Sequence, residues 1–399
     1  MPELKTKAAF NSGAKESEPL ENVTVTDQVS YMRLIPGKEY TVKGTLVDKA
    51  DPDTVIAHGE TTFTAAKPNG VTEVRFTFDA SKLEGKTMVV FEELYRERIK
   101  LASHAELQDE EQTVRIPKVR TEAFDKKDAG KDLFAGKNET IVDTVKYENL
   151  TAGKEYTVKG TLMDQETGKT IVVNGSPVTA EKTFKPNAST GEVVLEFNFD
   201  ASALQGKTVV VFEDVYNDGI KVGSHADIDD ISQSIYVPGI KTTATSEAEG
   251  SKKIDPVGNV VITDVIHYDN LIPGTSYTVK GRLIDKSTGE AIALGGTLFT
   301  ADKASGDVSL SFYINAKGMD GKSLVAFEEI YKGDKLIGEH SDINDEGQTV
   351  TARRMGRIEL RYPNTGDASG IAIYLAVFAC AFAGVLAVRA RRGYGKNKD

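Results

Sequence analysis

The chain has 399 residues, 27% charged and 39% hydrophobic, a globular composition with room for about two to four domains rather than that of a disordered chain. Its formal charge is −11, with −14 on residues 1–365 and +3 on residues 366–399, and so acidic a body argues against a nucleic-acid partner, which would need a basic face. The single cysteine, Cys380, lies in a C-terminal apolar run, which excludes disulfides from the 379 residues before it.

From the start, "KTKA" places Thr6 between basic residues, and "TDQVSY" carries Asp27. "YTVKGTLVD" (40–48) and "VRFTFDA" (74–80) alternate apolar with polar side chains, with Gly, Pro, Asn and Asp between such runs, which predicts short strands. "VVFEELY" follows, carrying Glu92; the doubled acid puts one carboxyl on each face of a strand, and alternation does not say which faces inward. Then come His104 and, eight positions on, Gln112.

The same series returns twice. "YMRLIPGKEYTVKGTLVDK" (31–49) matches "YENLTAGKEYTVKGTLMDQ" (147–165) and "YDNLIPGTSYTVKGRLIDK" (268–286). Successive glutamines Gln112, Gln233 and Gln348 are 121 and 115 residues apart, too long for a solenoid repeat and suited to an autonomous domain. About seven short strands per unit, with no sustained helical periodicity, predict an all-β chain of three tandem immunoglobulin-like sandwiches over 1–116, 117–237 and 238–352.

Five residue types recur at near-constant offsets. Thr6, Thr121 and Thr242 open the copies; Asp27, Asp143 and Asp264 follow; then Glu92, Glu213 and Glu328. His104, His225 and His340 each stand twelve residues after the Glu and eight before Gln112, Gln233 and Gln348. This set suffices for one acyl transfer. Imidazole takes the Thr proton as general base and later protonates the leaving nitrogen. The hydroxyl oxygen attacks the Gln side-chain carbonyl, while a carboxyl kept neutral by apolar surroundings donates to the developing oxyanion. Ammonia leaves, and the resulting ester survives only if buried. His58 and His267 fall outside the pattern and read as ordinary surface or core residues.

These motifs, literal as Val325-Ala326-Phe327-Glu328 in copy three, resemble the VaFE-repeat, or Thr–Gln ester-bond, domains of Gram-positive adhesin stalks. The resemblance implies CnaB-like sandwiches with autocatalytic esters Thr6–Gln112, Thr121–Gln233 and Thr242–Gln348 between first and last strands, without metal or cofactor. Copy one departs with Glu106 where the others have Asp, and copy two has Ser234 after its glutamine.

After a linker (353–365), the tail holds Tyr362-Pro363-Asn364-Thr365-Gly366, an uncharged stretch over 371–388 and five basic residues. That layout predicts a transmembrane helix with a cytoplasmic end. It also resembles the cell-wall sorting signal of Gram-positive surface proteins, with Tyr362 where Leu is usual. The resemblance implies a sortase that cuts after Thr365, discards 366–399 and joins the Thr carbonyl to a peptidoglycan-precursor or pilin amine. The protein is then a transient single-pass membrane protein, finally attached to the wall. "MPELKTKAAFNSGAKE" has no secretory h-region, so the expectation is a C-terminal portion of a longer protein or a misplaced start, with any host ligand bound by a tip region elsewhere.

Three alternatives compete with this reading, one of them a ligand-binding adhesin whose domains touch the host directly, for which the sequence offers no exposed aromatic cluster or metal loop. A Lys–Asn isopeptide module would use Lys5 and Lys241, but copy two has Arg120 at that position. A wall-anchored hydrolase would turn the His/Glu/Asp cluster on an external substrate, without an insertion to shape a pocket. Thr to Gln spans 106, 112 and 106 residues and Gln to the next Thr only nine, so esters would leave short linkers as the extensible parts.

Overall fold

The structure, a computed structural model, describes residues 1–355, of which Met1–Arg353 form one compact unit. The sorting motif, the apolar stretch at 371–388 and the basic tail lie outside the described residues. Among the described residues no helix is long and apolar enough to cross a membrane.

Copy one has eight strands: β1 (Glu3–Phe10), β2 (Val23–Met32), β3 (Glu39–Asp48), β4 (Asp51–Thr64), β5 (Gly70–Phe78), β6 (Thr87–Arg96), β7 (Ile99–His104) and β8 (Thr113–Arg115). One sheet runs β1-β2-β5; the other runs β4-β3-β6-β7, with β8 also on β6. The first and last strands thus belong to opposite sheets. Period-two alternation turns Leu4, Thr6 and Ala8 inward on β1 and leaves Lys5 and Lys7 outside. On β6 it turns Met88, Val90, Glu92 and Leu94 inward, so the first acid of the pair is the buried one. Glu93 stays outside with Tyr95 and Lys100.

Copies two and three repeat the plan. The extra length of copy two comes mostly from a hairpin, Val172–Val173 against Ser176–Pro177. Asn174 and Gly175 turn it with φ of 52° and 81°, the Asn-Gly turn that suits strand twist. Three separate apolar cores fill the copies, drawn from residues 4–116, 119–237 and 240–352. Each contains a tyrosine pair packed on a phenylalanine, such as Tyr31 and Tyr40 on Phe63 with centroids at 5.0 and 6.0 Å.

The nine-residue intervals between Gln and the next Thr are not free linkers. They continue β8 and its counterpart Ser234–Tyr236 into Lys118–Asp125 and Gly239–Ser246, leaving only Ile116-Pro117 and Val237-Pro238 between strands. Both pairs are buried.

Candidate functional site

In each copy the Thr comes from the first strand and the Gln from the turn before the last, and both side chains are buried; a direct Thr–Gln hydrogen bond is present in copy three, while in copy one Gln112 bonds Asp27 and in copy two Thr121 bonds Glu213. Thr6, Thr121 and Thr242 are 8%, 6% and 7% exposed, and all three glutamines are fully buried. Glu92, Glu213 and Glu328 project from the strand at the centre of the larger sheet, and Asp27, Asp143 and Asp264 from the centre of the smaller one. Pairs Ala8–Asp27, Ala123–Asp143 and Ala244–Asp264 face each other in register, which places each Asp beside the strand that carries the Thr.

Thr121 donates its hydroxyl to Glu213 Oε2 at 3.1 Å, and Thr242 donates to Glu328 Oε2 at 3.1 Å. Gln348 Nε2 donates to both Thr242 Oγ1 and Glu328 Oε2. In copy one Gln112 Nε2 donates to Asp27 Oδ1 at 3.3 Å. Fifteen buried side-chain polar atoms among the described residues lack a hydrogen-bond partner of normal geometry, and fourteen of them belong to these Thr, Asp, Glu and Gln residues. Each such atom costs about 1–3 kcal/mol, so packing alone does not account for three concentrations of them.

Each buried glutamate lies against the buried aspartate of its copy, and both carboxyls are held above their ordinary range. Burial, then the neighbouring Asp27 charge, pushes Glu92 up to about 11; Glu328 reaches about 10 for the same reasons with Asp264, and Glu213 is raised well above its ordinary range. Burial also raises Asp27, Asp143 and Asp264, to about 6 for Asp143, against the pull of the adjoining glutamate, histidine or lysine. Burial together with the neighbouring carboxyl favours the glutamate as the neutral acid of the pair.

A glycine helps to dry the site. Gly44, Gly160 and Gly281 stand directly across from the three glutamates in register. A Cβ there would come within 2.4 Å of Phe76, 2.4 Å of Phe197 and 2.2 Å of Leu310, so the bare backbone admits an apolar side chain of the opposite sheet.

Histidine also faces the glutamate across strands, but it does not bond the Thr hydroxyl. Its Nε2 lies 2.8 Å from Asp109 Oδ2, 2.7 Å from Asp230 Oδ2 and 2.8 Å from Asp345 Oδ2 in the three copies. Sequence reasoning passed over these aspartates, although each stands five residues after its His and three before its Gln. It also passed over Lys15, Lys131 and Lys252. Their ammonium groups bridge the carbonyls of Ala8 and Glu111, Ala123 and Ser232, and Ala244 and Gly347. Each bridge joins the strand two residues past the Thr to the residue before the Gln. Burial lowers the pKa of all three lysines, and the cations of Lys131 and Lys252 restrain Asp143 and Asp264 in turn.

Ser234, the departure in copy two, is chemically neutral: its hydroxyl donates to Asp230 O just as Thr113 and Thr349 donate to Asp109 O and Asp345 O. Lys5, Arg120 and Lys241 point to solvent, away from the cluster, which removes the isopeptide donors. His58 is exposed, and His267 pairs with Asp307 on the surface.

No curated protein matches the chain. Among solved structures, a Mobiluncus mulieris adhesin containing intramolecular disulfide, isopeptide and ester bond cross-links is 17% identical over 62% of this chain and 90% of its own, with a TM-score of 0.29. The C-terminal domain of the Streptococcus agalactiae AgI/II polypeptide BspA is 9% identical over 59% and 99%, with a TM-score of 0.31. At those TM-scores neither likeness carries an argument about this chain. The family comparison does: a model described as the T-Q ester bond containing domain matches residues 2–116, 117–237 and 238–352. Matched in three consecutive segments, each burying its own Thr and Gln, the chain belongs to the T-Q ester bond containing domain family.

Proposed function

We propose that the three domains form the structural stalk of a wall-anchored surface protein, each locked by an intramolecular Thr–Gln ester that it makes itself. The observation that carries this reading is the contact set of Thr242, whose Oγ1 meets both Gln348 and the neutral acid Glu328 in a water-excluding core. The Thr oxygen attacks Gln Cδ and gives up its proton. The glutamic acid donates to the oxyanion, and collapse breaks the Cδ–Nε2 bond. The hydroxyl proton and the NH2 group leave together as ammonia, so atoms balance without a co-reactant. The Asp carboxyl and the His held by its own Asp are the groups available to take and return the proton. The sealed core favours one turnover on the chain itself over catalysis on an external substrate.

The ester would tie opposite sheets. A domain without it could pay out about 350 Å of chain under load, at roughly 3.3 Å per residue. Closing a loop of about 100 residues adds about 4–5 kcal/mol by the chain-entropy account. Attachment by a sortase after Thr365, to a wall or pilin amine, completes the proposal, with a host ligand taken by a region beyond this chain. Intact-mass measurement tests it: the chain should lack three ammonia masses, and Thr121→Ala should restore one. Full mass would overturn the ester. A deficit that survives Thr6→Ala, Thr121→Ala and Thr242→Ala together would point to another bond.

A further inference from the structure

The facing ends of successive domains carry complementary groups, and one asparagine contact is used at both joints. Asn149 of copy two donates from Nδ2 to Lys86 O at 2.7 Å and Ile116 O at 3.4 Å, and accepts from Thr87 Oγ1 at 2.7 Å. Asn270 of copy three does the same with Lys207 O at 2.7 Å, Val237 O at 3.5 Å and Thr208 Oγ1 at 2.9 Å. Both asparagines hold the left-handed backbone, at φ 69° and 61°, which Asn tolerates better than most residues. Arg33 occupies that position in copy one and pairs instead with Glu3.

The residue after each bridging lysine supplies the second half. Glu16 of copy one, 1% exposed, accepts from Tyr156 OH at 2.7 Å and from the backbone and side chain of Thr151 in copy two. Asp132 of copy two, 2% exposed, receives Lys332 of copy three, while Lys335 reaches Asp125 at 2.6 Å and Asp128 at 2.7 Å. In copy three the equivalent is Lys253, exposed and without an acidic group to offer. Acid is therefore present where a copy follows within this chain, and asparagine where a copy precedes.

We propose that this is a docking interface whose partner is another copy of the same domain: a left-handed asparagine reads the carbonyls at the far end of the preceding copy, and a buried acid of that copy receives donors of the next. The three domains then act in solution as one stiff unit, with Ile116-Pro117 and Val237-Pro238 buried in the joints rather than free to swivel. This holds whether or not the esters form.

Distance distributions from paired spin labels test it, on the full chain with Cys380→Ser and labels at Glu60→Cys and Glu181→Cys, two exposed strand positions in copies one and two. The expected result is a single narrow peak. Asn149→Gly, which keeps the backbone conformation, combined with Glu16→Lys, which installs the residue native to copy three, should remove that peak and leave a broad distribution. Unchanged circular dichroism would show that the domains themselves stay folded. A broad distribution in the unaltered joint, or a peak equally narrow in the double variant, would overturn the proposal. Should the double variant unfold, the single Asn149→Gly chain and the unaltered joint still decide.

Discussion

Gly160 lies directly across from Glu213 on the neighbouring strand, and its missing side chain is what Phe197 fills from the opposite sheet. The glycine in the repeated "YTVKG" run thus contributes to the desolvation that keeps the glutamate protonated. Gly160→Ala should displace the ring, destabilise copy two by about 1–3 kcal/mol through overpacking and reduce its cross-linking. Melting and intact mass together check this. A stable domain with a complete deficit would mean that the ring has no part in the chemistry.

Glu328→Gln keeps a neutral hydrogen-bonding group of the same shape but has no acidic proton to pass on. Ammonia loss from copy three should slow by about 10²–10⁴-fold, the usual worth of a positioned acid. Peptide mass mapping of copy three over time, with copies one and two as internal controls, reads the rate. An undiminished rate would remove Glu328 from the mechanism.

The proton held by the glutamates makes stability depend on pH. Glu328 has a folded-state pKa of about 10 against an ordinary value of 4.5, so above about pH 4.5 the native state binds the extra proton. Its contribution is fully present below that value, and stability falls as pH rises toward about 10. Glu92, at about 11, acts in the same direction. In the triple Thr→Ala chain, where no ester masks the effect, denaturation midpoints should fall from about pH 5 to about pH 8. Adding the three Glu→Gln changes should flatten that slope, and a slope that persisted would place the linkage on other groups.

Lys252 ties Ala244 O to Gly347 O beside Thr242 and Gln348. Lys252→Met, close in shape but without donors, should leave buried carbonyls unpaired, at a cost of about 1–3 kcal/mol. It also removes the cation that restrains Asp264, so that residue should titrate higher. Ammonia loss should then shift to higher pH, a displacement that a purely structural role would not produce. Carboxyl titration and the pH profile of the mass loss check both halves.

Much of this molecule was legible as a string. Alternation along "YTVKGTLVD" and "VRFTFDA" sufficed for strands because a sheet buries every second residue. Threefold repetition of Thr, Asp, Glu, His and Gln marks the cluster in the sequence alone. The face of the doubled acid was not legible, since a one-residue shift of register reverses it. It took the pairing of β6 with β3 to turn Glu92 inward and Glu93 out. Lys15, Lys131 and Lys252 escaped notice because a lysine nine or ten residues past a threonine has no local signature. Its role appears only where the chain turns back and sets two distant carbonyls side by side. The nine-residue intervals looked like linkers because length alone carries no information on what the neighbouring domain covers.

By itself, then, the sequence determined the β class, the threefold repeat and the residue types of the buried cluster, all properties of local pattern and recurrence. Tertiary structure decided which carboxyl keeps the proton, which aspartate holds the imidazole, and that the joints are docked. Those depend on burial and on contacts between segments far apart in the chain, and desolvation and Coulomb interaction act through space, not along the backbone.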